Sequence, residues 1–294
     1  MQNRTLGDTN IFPIGLGCMP MSSQHALEHR ARCIETIHTA LDAGVQLVDT
    51  ANVYAPSAEE FGHNELLVAE ALASYSGHKP VVATKGGITR EPGEVWGRRG
   101  DPESLLAAAQ ASAERLGTID LYYLHRADPS IPYGEQIRGL VAVRDAGLAR
   151  QIGVSNVNAP MLQRALEVAG GPADGGIVAV QNEFSATYRA DADVIDICTE
   201  HGIAYLPWSP LQGAELFEVR AIIREVSSQR MALAWLLAQS PVVIPIPGST
   251  RPQTILDSVA AARLSMSISE IEALNALPFE QQSLYPDDLP DPPL

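Results

Sequence analysis

Asp49 closes an apolar run, Val45 to Val48, and Tyr54 follows five residues later. Lys85 and His125 come after two further apolar runs. A carboxylate, a phenol, an ammonium and an imidazole facing one pocket could move a proton. A free phenol is a weak acid at neutral pH, with a pKa of about 10. A cation beside it stabilises the phenolate and lowers that pKa. Lys85 is placed to supply the cation, and Asp49 to pair with Lys85 and keep it charged. His125 would hydrogen-bond a substrate oxygen or share the proton relay. Reducing a carbonyl requires this kind of site, because oxygen takes a proton as carbon takes a hydride. The proton and fixed dipoles polarise the carbonyl, so the site calls for no metal. Each residue alone is weak evidence. An Asp after a strand caps helices, a lone Lys is usually solvated and a lone Tyr usually packs. Their recurrence at successive strand ends carries the reading.

Those strand ends belong to a repeating pattern. Short β-branched runs at 14–18, 45–49, 81–85, 119–124, 151–155, 178–182, 204–208 and 242–245 predict strands. Amphipathic stretches at 31–43, 64–74, 102–116, 133–145, 160–169, 191–201, 229–239 and 252–261 predict the helices after them. Asp101-Pro102-Glu103 reads as an N-cap followed by proline at the first helical position. Gly44, Gly117, Gly147 and Gly202 stand where helix C-caps belong. Eight strand–helix units without a linker predict one (β/α)8 TIM barrel spanning residues 1–294, a size normal for that fold. An N-terminal hairpin is expected over 4–12, turning at Gly7-Asp8-Thr9-Asn10. A last helix at 269–277 and an acidic, proline-rich tail from Asp287 to Leu294 form a C-terminal extension, expected to cover one end of the barrel. A doubly wound sheet would want a third glycine after Gly15-Leu16-Gly17, where Pro20 stands. In a barrel, functional residues sit at the C-terminal ends of strands, which would bring all four side chains to one mouth.

With 35 acidic against 20 basic residues the chain carries a net charge of −15, which argues against binding duplex nucleic acid. An anionic cofactor remains compatible, because a local arginine or a helix N-terminus can hold phosphate. Hydrophobic residues make up 46%, enough for a large core. Cys18, Cys33 and Cys198 are widely spaced and suggest no disulfide framework. No apolar signal core or membrane-length apolar run is visible, so a cytoplasmic protein away from membranes is expected.

The stretches Val48-Asp49-Thr50 with Tyr54, Ala83-Thr84-Lys85, Asp120-Leu121-Tyr122-Tyr123-Leu124-His125, Gly153-Val154-Ser155-Asn156, Val180-Gln181-Asn182, Trp208-Ser209-Pro210-Leu211 and Ile246-Pro247-Gly248-Ser249-Thr250 occur in this order. Together they resemble the aldo-keto reductase superfamily over nearly the whole chain. The resemblance implies a (β/α)8 barrel, NADPH bound in extended form, and a catalytic tetrad of Asp49, Tyr54, Lys85 and His125 with Tyr54 as general acid. It implies an oxidoreductase reducing aldehydes or ketones, with NADPH as cofactor and NADH as a possible substitute. By the same resemblance Ser155, Asn156 and Gln181 orient the carboxamide, Trp208 stacks on the nicotinamide, and Ser209 and Leu211 follow the pyrophosphate. Gly248, Ser249, Thr250 and Arg251 precede a helix and suit phosphate, Arg251 being matched to a 2′-phosphate. The sequence departs from the family on the next helix, where Thr254 and Ser258 replace residues that grip the adenosine. The loop after Leu211 reads as truncated.

Trp96 and Met19 are expected to wall the substrate pocket, with Met21, Val53 and Phe61 as further neighbours. Arg98 and Arg99 could meet an anionic group, although a solvated loop competes with that reading. The loop from Ala55 to Gly62 is expected to move. His25-Ala26-Leu27-Glu28-His29 matches a metalloprotease pattern, but two histidines without a third ligand make a poor zinc site. The expected partner is a small-molecule carbonyl, on a monomer or weak homo-oligomer. The alternative is an NADP-binding regulatory subunit like the potassium-channel β subunits that resemble this family.

Overall fold

Short β-branched runs alternating with amphipathic stretches can bury both faces of a sheet only under a layer of helices. In the computed structural model the chain follows that plan over the described residues, 2–279, 283–286 and 289–294. Strands β1 (Arg4–Leu6) and β2 (Thr9–Ile11) form the N-terminal hairpin, turning on Gly7 and Asp8 alone. Then come β3 (Leu16–Gly17), β4 (Leu47–Asp49) and β5 (Val81–Gly86). A second hairpin, β6 (Ile88–Glu91) with β7 (Val95–Arg98), follows at once. The sheet resumes with β8 (Leu121–Leu124), β9 (Gln151–Ser155), β10 (Ile177–Gln181) and β11 (Ala204–Tyr205). Seven strands run parallel in the order β3-β4-β5-β8-β9-β10-β11.

The helices are α1 (Gln24–Leu27), α2 (Arg30–Asp42), α3 (His63–Ala73), α4 (Pro102–Leu116), α5 (Tyr133–Asp145) and α6 (Ala159–Ala169). They continue as α7 (Ala192–His201), α8 (Glu218–Ile223), α9 (Ser228–Gln239), α10 (Pro252–Ala260) and α11 (Ile268–Asn275). Asp101 caps α4 by accepting the Ser104 amide at 2.8 Å, a contact typically contributing about 1 kcal/mol.

The eighth position differs from the expected strand at 242–245. That stretch forms one isolated parallel bridge, Tyr205 to Val243, and Gly17 bridges to Gly248 just beyond it. The reason is chemical. Pro241, Pro245 and Pro247 have no N–H to give a ladder. Their carbonyls still accept, Pro245 O from the Gly15 amide at 3.0 Å and Pro247 O from the Gly17 amide at 3.1 Å. The edge strands β3 and β11 are thus joined through this segment, and the sheet closes.

Strand alternation sorts residues into two layers. One phase packs on the helices, as with Tyr122, Leu124, Ile152 and Val154. The other fills the barrel with Leu47, Ala83, Leu121, Ala179, Ala204, Leu206, Ile244 and Ile246. Leu6 and Ile11 of the hairpin join that inner cluster and plug one end. Tyr123 also lies inside, and Gly153 makes room for it, since a Cβ there would stand 2.7 Å from the ring. One step of two residues further along the inner phase lie Asp49, Lys85, His125, Ser155, Gln181 and Trp208. Core and site are therefore consecutive layers of one stack.

Candidate active site

The inner phase of β4 puts Asp49 beside the inner phase of β5, and Lys85 meets it. Lys85 Nζ donates to Asp49 Oδ1 at 2.6 Å, to the Thr50 carbonyl at 2.7 Å and to the Tyr54 hydroxyl at 3.4 Å. Lys85 is fully buried. The other Asp49 oxygen accepts from Gln181 Nε2 at 2.8 Å. Tyr54 is fixed by its backbone, with its amide on Ala51 O and its carbonyl on the Asn64 amide. The His125 ring meets Tyr54 edge to face, at 5.7 Å between centroids. The four expected residues thus converge.

Burial raises the Asp49 carboxyl, and Lys85 and Gln181 oppose the rise. For Lys85 burial works to lower the pKa, but Asp49 and Tyr54 outweigh it and hold the ammonium above its ordinary value. The phenol departs from expectation. Burial lifts Tyr54 above its usual range, and the pull of Lys85 does not reverse this, because Asp49 offsets the cation. Tyr54 is a protonated donor at neutral pH, and Lys85 acts on the charge that develops as the proton leaves. Burial, then the positive Lys85, Arg126 and Arg98, hold His125 well below the ordinary imidazole value. His125 is therefore neutral at physiological pH and can hydrogen-bond but not supply a charge.

A cleft of about 950 Å³ opens above these groups. Ser155, Asn156, Gln181, Trp208, Ser209, Leu211 and Gly248 line it, as do Met19, Val53 and Trp96. Asn156 bridges the two sides. Its Nδ2 donates to His125 O at 2.9 Å, and its Oδ1 accepts from Trp208 Nε1 at 3.2 Å. Ser155 Oγ donates to Gln181 O at 2.6 Å. Asn156 and Ser209 hold positive φ angles of 57° and 48°, a conformation rare outside glycine and often found where a site imposes it.

Other expected residues lie elsewhere. Met21 faces the core between sheet and α2, not the cleft. Phe61 packs with Ala51, Val53 and Ile88 beneath it. Arg251 is exposed at the start of α10, and Ser249, buried, caps its own loop through the Arg251 amide and carbonyl. Thr250 accepts from Arg32 through its carbonyl. Ser258 is buried and donates to Thr254 O. The loop after Leu211 holds a 3-10 turn (Ala214–Phe217) and α8. Loop 55–62 is held, with Arg90 donating to Ala55 O and Pro56 O, and the Ala58 amide to Glu94. His25 lies in α1, which ends at Leu27, and His29 precedes α2, so the two share no continuous helix face.

Three contributors were not foreseen. Arg90 and Arg126 line the cleft, and so does the tail segment Leu284-Tyr285-Pro286. The buried Glu183 holds the tail, accepting from Ser283 Oγ at 2.5 Å and the Leu284 amide at 3.0 Å. Tyr285 rests 5.9 Å from the Trp208 ring. Further on, Asn158 Nδ2 donates to Asp291 and the Tyr133 amide to Pro293 O, so the tail crosses the starts of α5 and α6. Asp287 and Asp288 lie outside the described residues. Arg126 was open to discovery, as the neighbour of His125. The tail was expected to cover one end of the barrel, but nothing local says which residues a proline-rich segment docks against.

The family model for the aldo/keto reductase family matches residues 13–220 and 213–278. An uncharacterized oxidoreductase of Schizosaccharomyces pombe is 32% identical over 91% of this chain and 87% of its own. The glycerol dehydrogenase of Gluconobacter oxydans superposes with a TM-score of 0.78 at 25% identity, covering 93% of each chain. An aldo-keto reductase of Klebsiella pneumoniae, solved with NADPH, gives 0.79 at 23%, covering 98% of this chain and 99% of that one. Among the described residues no helix is long and apolar enough to cross a membrane. With the barrel, the buried ion pair under a cleft-facing tyrosine and these matches together, the chain belongs to the aldo/keto reductase family of NAD(P)H-dependent oxidoreductases.

Proposed function

We propose that the protein reduces an aldehyde or ketone to an alcohol with NADPH, Tyr54 acting as general acid. The observation that carries this is Lys85 Nζ set between the Asp49 carboxylate and the Tyr54 hydroxyl at the base of the cleft. The residues suit a nicotinamide cofactor. Ser155, Asn156 and Gln181 offer hydroxyl and amide groups, and Trp208 offers a ring, all on one side of the cleft. His125 Nδ1 is buried without a partner, so the site retains unused polar capacity. Gly248, Ser249, Thr250 and Arg251 are assigned the phosphate end.

When bound, the cofactor supplies the hydride that the carbonyl carbon accepts. The carbonyl π pair moves onto oxygen, which takes the Tyr54 proton. Lys85 stabilises the phenolate left behind, and Asp49 fixes Lys85. His125, neutral, donates a hydrogen bond to the same oxygen and orients it. The phenolate regains a proton from solvent. Preorganised charge of this kind costs no rearrangement as the reaction proceeds.

The test is Tyr54→Phe, read by nicotinamide absorbance with a panel of aldehydes and ketones. Turnover should fall by about 10²–10⁴-fold, the usual contribution of a general acid. NADPH binding, followed by fluorescence, should persist. Undiminished turnover would remove Tyr54 from the mechanism. A wild type that binds NADPH tightly yet reduces none of the panel would favour the regulatory-subunit alternative.

A further inference from the structure

Strand alternation carries the inner phase of β10 from Gln181, bonded to Asp49, to Glu183, one step nearer the mouth. The Glu183 carboxylate is buried, and a buried charge is costly unless donors meet it. Its donors come from the tail, 100 residues further along the chain. Ser283 Oγ donates to it at 2.5 Å and the Leu284 amide at 3.0 Å. The Tyr285 amide donates in turn to Ser283 Oγ at 3.2 Å, which tightens the segment around the carboxylate. The Tyr285 carbonyl accepts from Arg126 Nη2 at 2.7 Å, and its ring lies against Trp208. The base of this latch is firm. Glu183 bridges Trp208 in parallel, and the Trp208 amide donates to Asn182 O at 2.9 Å. The segment so held presents two large apolar side chains, Leu284 and Tyr285, both about half exposed and both lining the cleft. Tyr285 also acts electrostatically on the Tyr54 phenol, so it stands near the reacting centre.

We propose that Glu183 is a positioning residue for the substrate: its carboxylate latches Ser283 and Leu284, so that Leu284 and Tyr285 form a fixed wall that holds the far end of a long aryl carbonyl. This rests on the reductase reading and names the residue through which that site selects its substrate. Tyr54, Lys85 and His125 act on the carbonyl group and are indifferent to what lies beyond it. Val53, Ile88 and Trp96 add apolar surface to the same cleft. An aryl body long enough to reach the wall gains in proportion to the apolar area it buries, and a short aliphatic one does not. The gain depends on the latch. An unheld tail would have to be ordered at each binding event, at a cost in conformational entropy that a held one has already met.

The test compares 4-phenylbenzaldehyde, which is long enough to reach the tail, with propanal, which is not. Glu183→Ala should lower the ratio of their kcat/KM values about 10-fold, through KM for the longer aldehyde rather than through kcat. Glu183→Gln keeps an oxygen for the Leu284 amide and an N–H for Ser283 Oγ, and should restore most of the ratio. Tyr285→Ala removes part of the wall itself. Adding Glu183→Ala to it should cost much less than Glu183→Ala costs alone, because the latch then has less to hold. If Glu183→Ala does not fold, Ser283→Ala breaks the latch from the tail side and should shift the same ratio by about 3-fold. An unchanged ratio overturns the proposal, as does a ratio that rises, which would make the tail a barrier instead of a binding wall. Fully additive losses in the double variant also overturn it. Calorimetric binding of 4-phenylbenzyl alcohol separates this claim from the reductase reading. If no carbonyl is reduced but the alcohol binds and loses affinity in Glu183→Ala, the reductase reading fails and the latch stands. If the alcohol binds both proteins alike, or neither, the latch fails whatever the turnover.

Discussion

Two ion pairs with buried carboxylates flank one strand. On the inner side of β5, Lys85 meets Asp49 at 2.6 Å. On the outer side the preceding residue, Thr84, donates to Glu65 Oε1 at 2.6 Å, and Glu65 Oε2 accepts from Arg115 at 2.5 Å. Both carboxylates are buried and both use their two oxygens. Only their surroundings differ. The outer pair lies between α3 and α4, and Arg115 has Ser112 Oγ as a further contact. The inner pair has Tyr54, whose hydroxyl faces a cleft. A buried ion pair is thus not a functional signal in itself. What distinguishes the inner one is a third group with a proton to give and room above it for a substrate. A one-residue slip of β5 would exchange the two faces, so register alone separates structure from chemistry.

Removing one cation from each pair should break the comparison most visibly. Lys85→Met and Arg115→Met each leave a buried carboxylate unpaired, and each should cost about 3–5 kcal/mol in urea unfolding. Turnover divides them. Lys85→Met should lose roughly 10²–10³-fold in kcat, because the leaving phenolate loses its counter-charge. Arg115→Met, assayed well below its unfolding midpoint, should stay within about threefold of wild type, since Arg115 touches nothing in the cleft. Comparable kcat losses in the two variants would abolish the distinction. Removing both members sharpens it further. Asp49→Asn with Lys85→Met should recover part of the stability and none of the turnover.

The same contrast explains what could be read from sequence. The helices at 102–116 and 133–145 were legible to the residue, because Asp101-Pro102 and the apolar period mark their bounds locally. The inner tetrad was legible because Asp49, Lys85 and His125 each extend an apolar alternation by one step. The Glu65–Arg115 pair was not, since a charged residue on a helix normally reads as a solvated face. The β6–β7 hairpin escaped because Thr89, Arg90, Glu91 and Glu94 give it the composition of a loop. The strand expected at 242–245 failed on its prolines. Tyr285 reaches Trp208 by docking across 77 residues of chain, which no local pattern encodes.

His125 provides a smaller test, on the inner side alone. Its native pKa lies well below 6.5 and the unfolded value is near 6.5. A depressed pKa contributes stability that is present above the unfolded value and lost as pH falls. Between pH 6.5 and the native pKa, the unfolded chain takes up a proton that the folded chain refuses. Wild type should therefore lose up to about 1.4 kcal/mol per pH unit below pH 6.5 through this group. His125→Gln should lack that loss. Urea unfolding of both proteins at pH 7.5, 6.5 and 5.5 measures the difference, and parallel pH profiles would refute a buried neutral imidazole.

The smallest effect comes from a carboxylate that meets no cation among the described residues. Burial first, then the like charges of Asp193, Asp291 and Glu183, push Asp191 up to about 6. Asp191 is the counter-example to Asp49 and Glu65, with carboxylates where those two have Lys85 and Arg115. Its sign is opposite to that of an ordinary ion-paired Asp. The native state holds the proton more tightly than the unfolded chain, whose value is 3.8. Stability from this group is present below pH 3.8 and lost as pH rises through 6. Asp191→Asn should therefore melt higher than wild type at pH 7.5, by roughly 2 °C for a chain of this size. The gap should narrow at pH 5, where wild-type Asp191 is largely protonated. A gap of the same size at both pH values would mean that Asn gains by packing and that the neighbouring carboxylates do not repel.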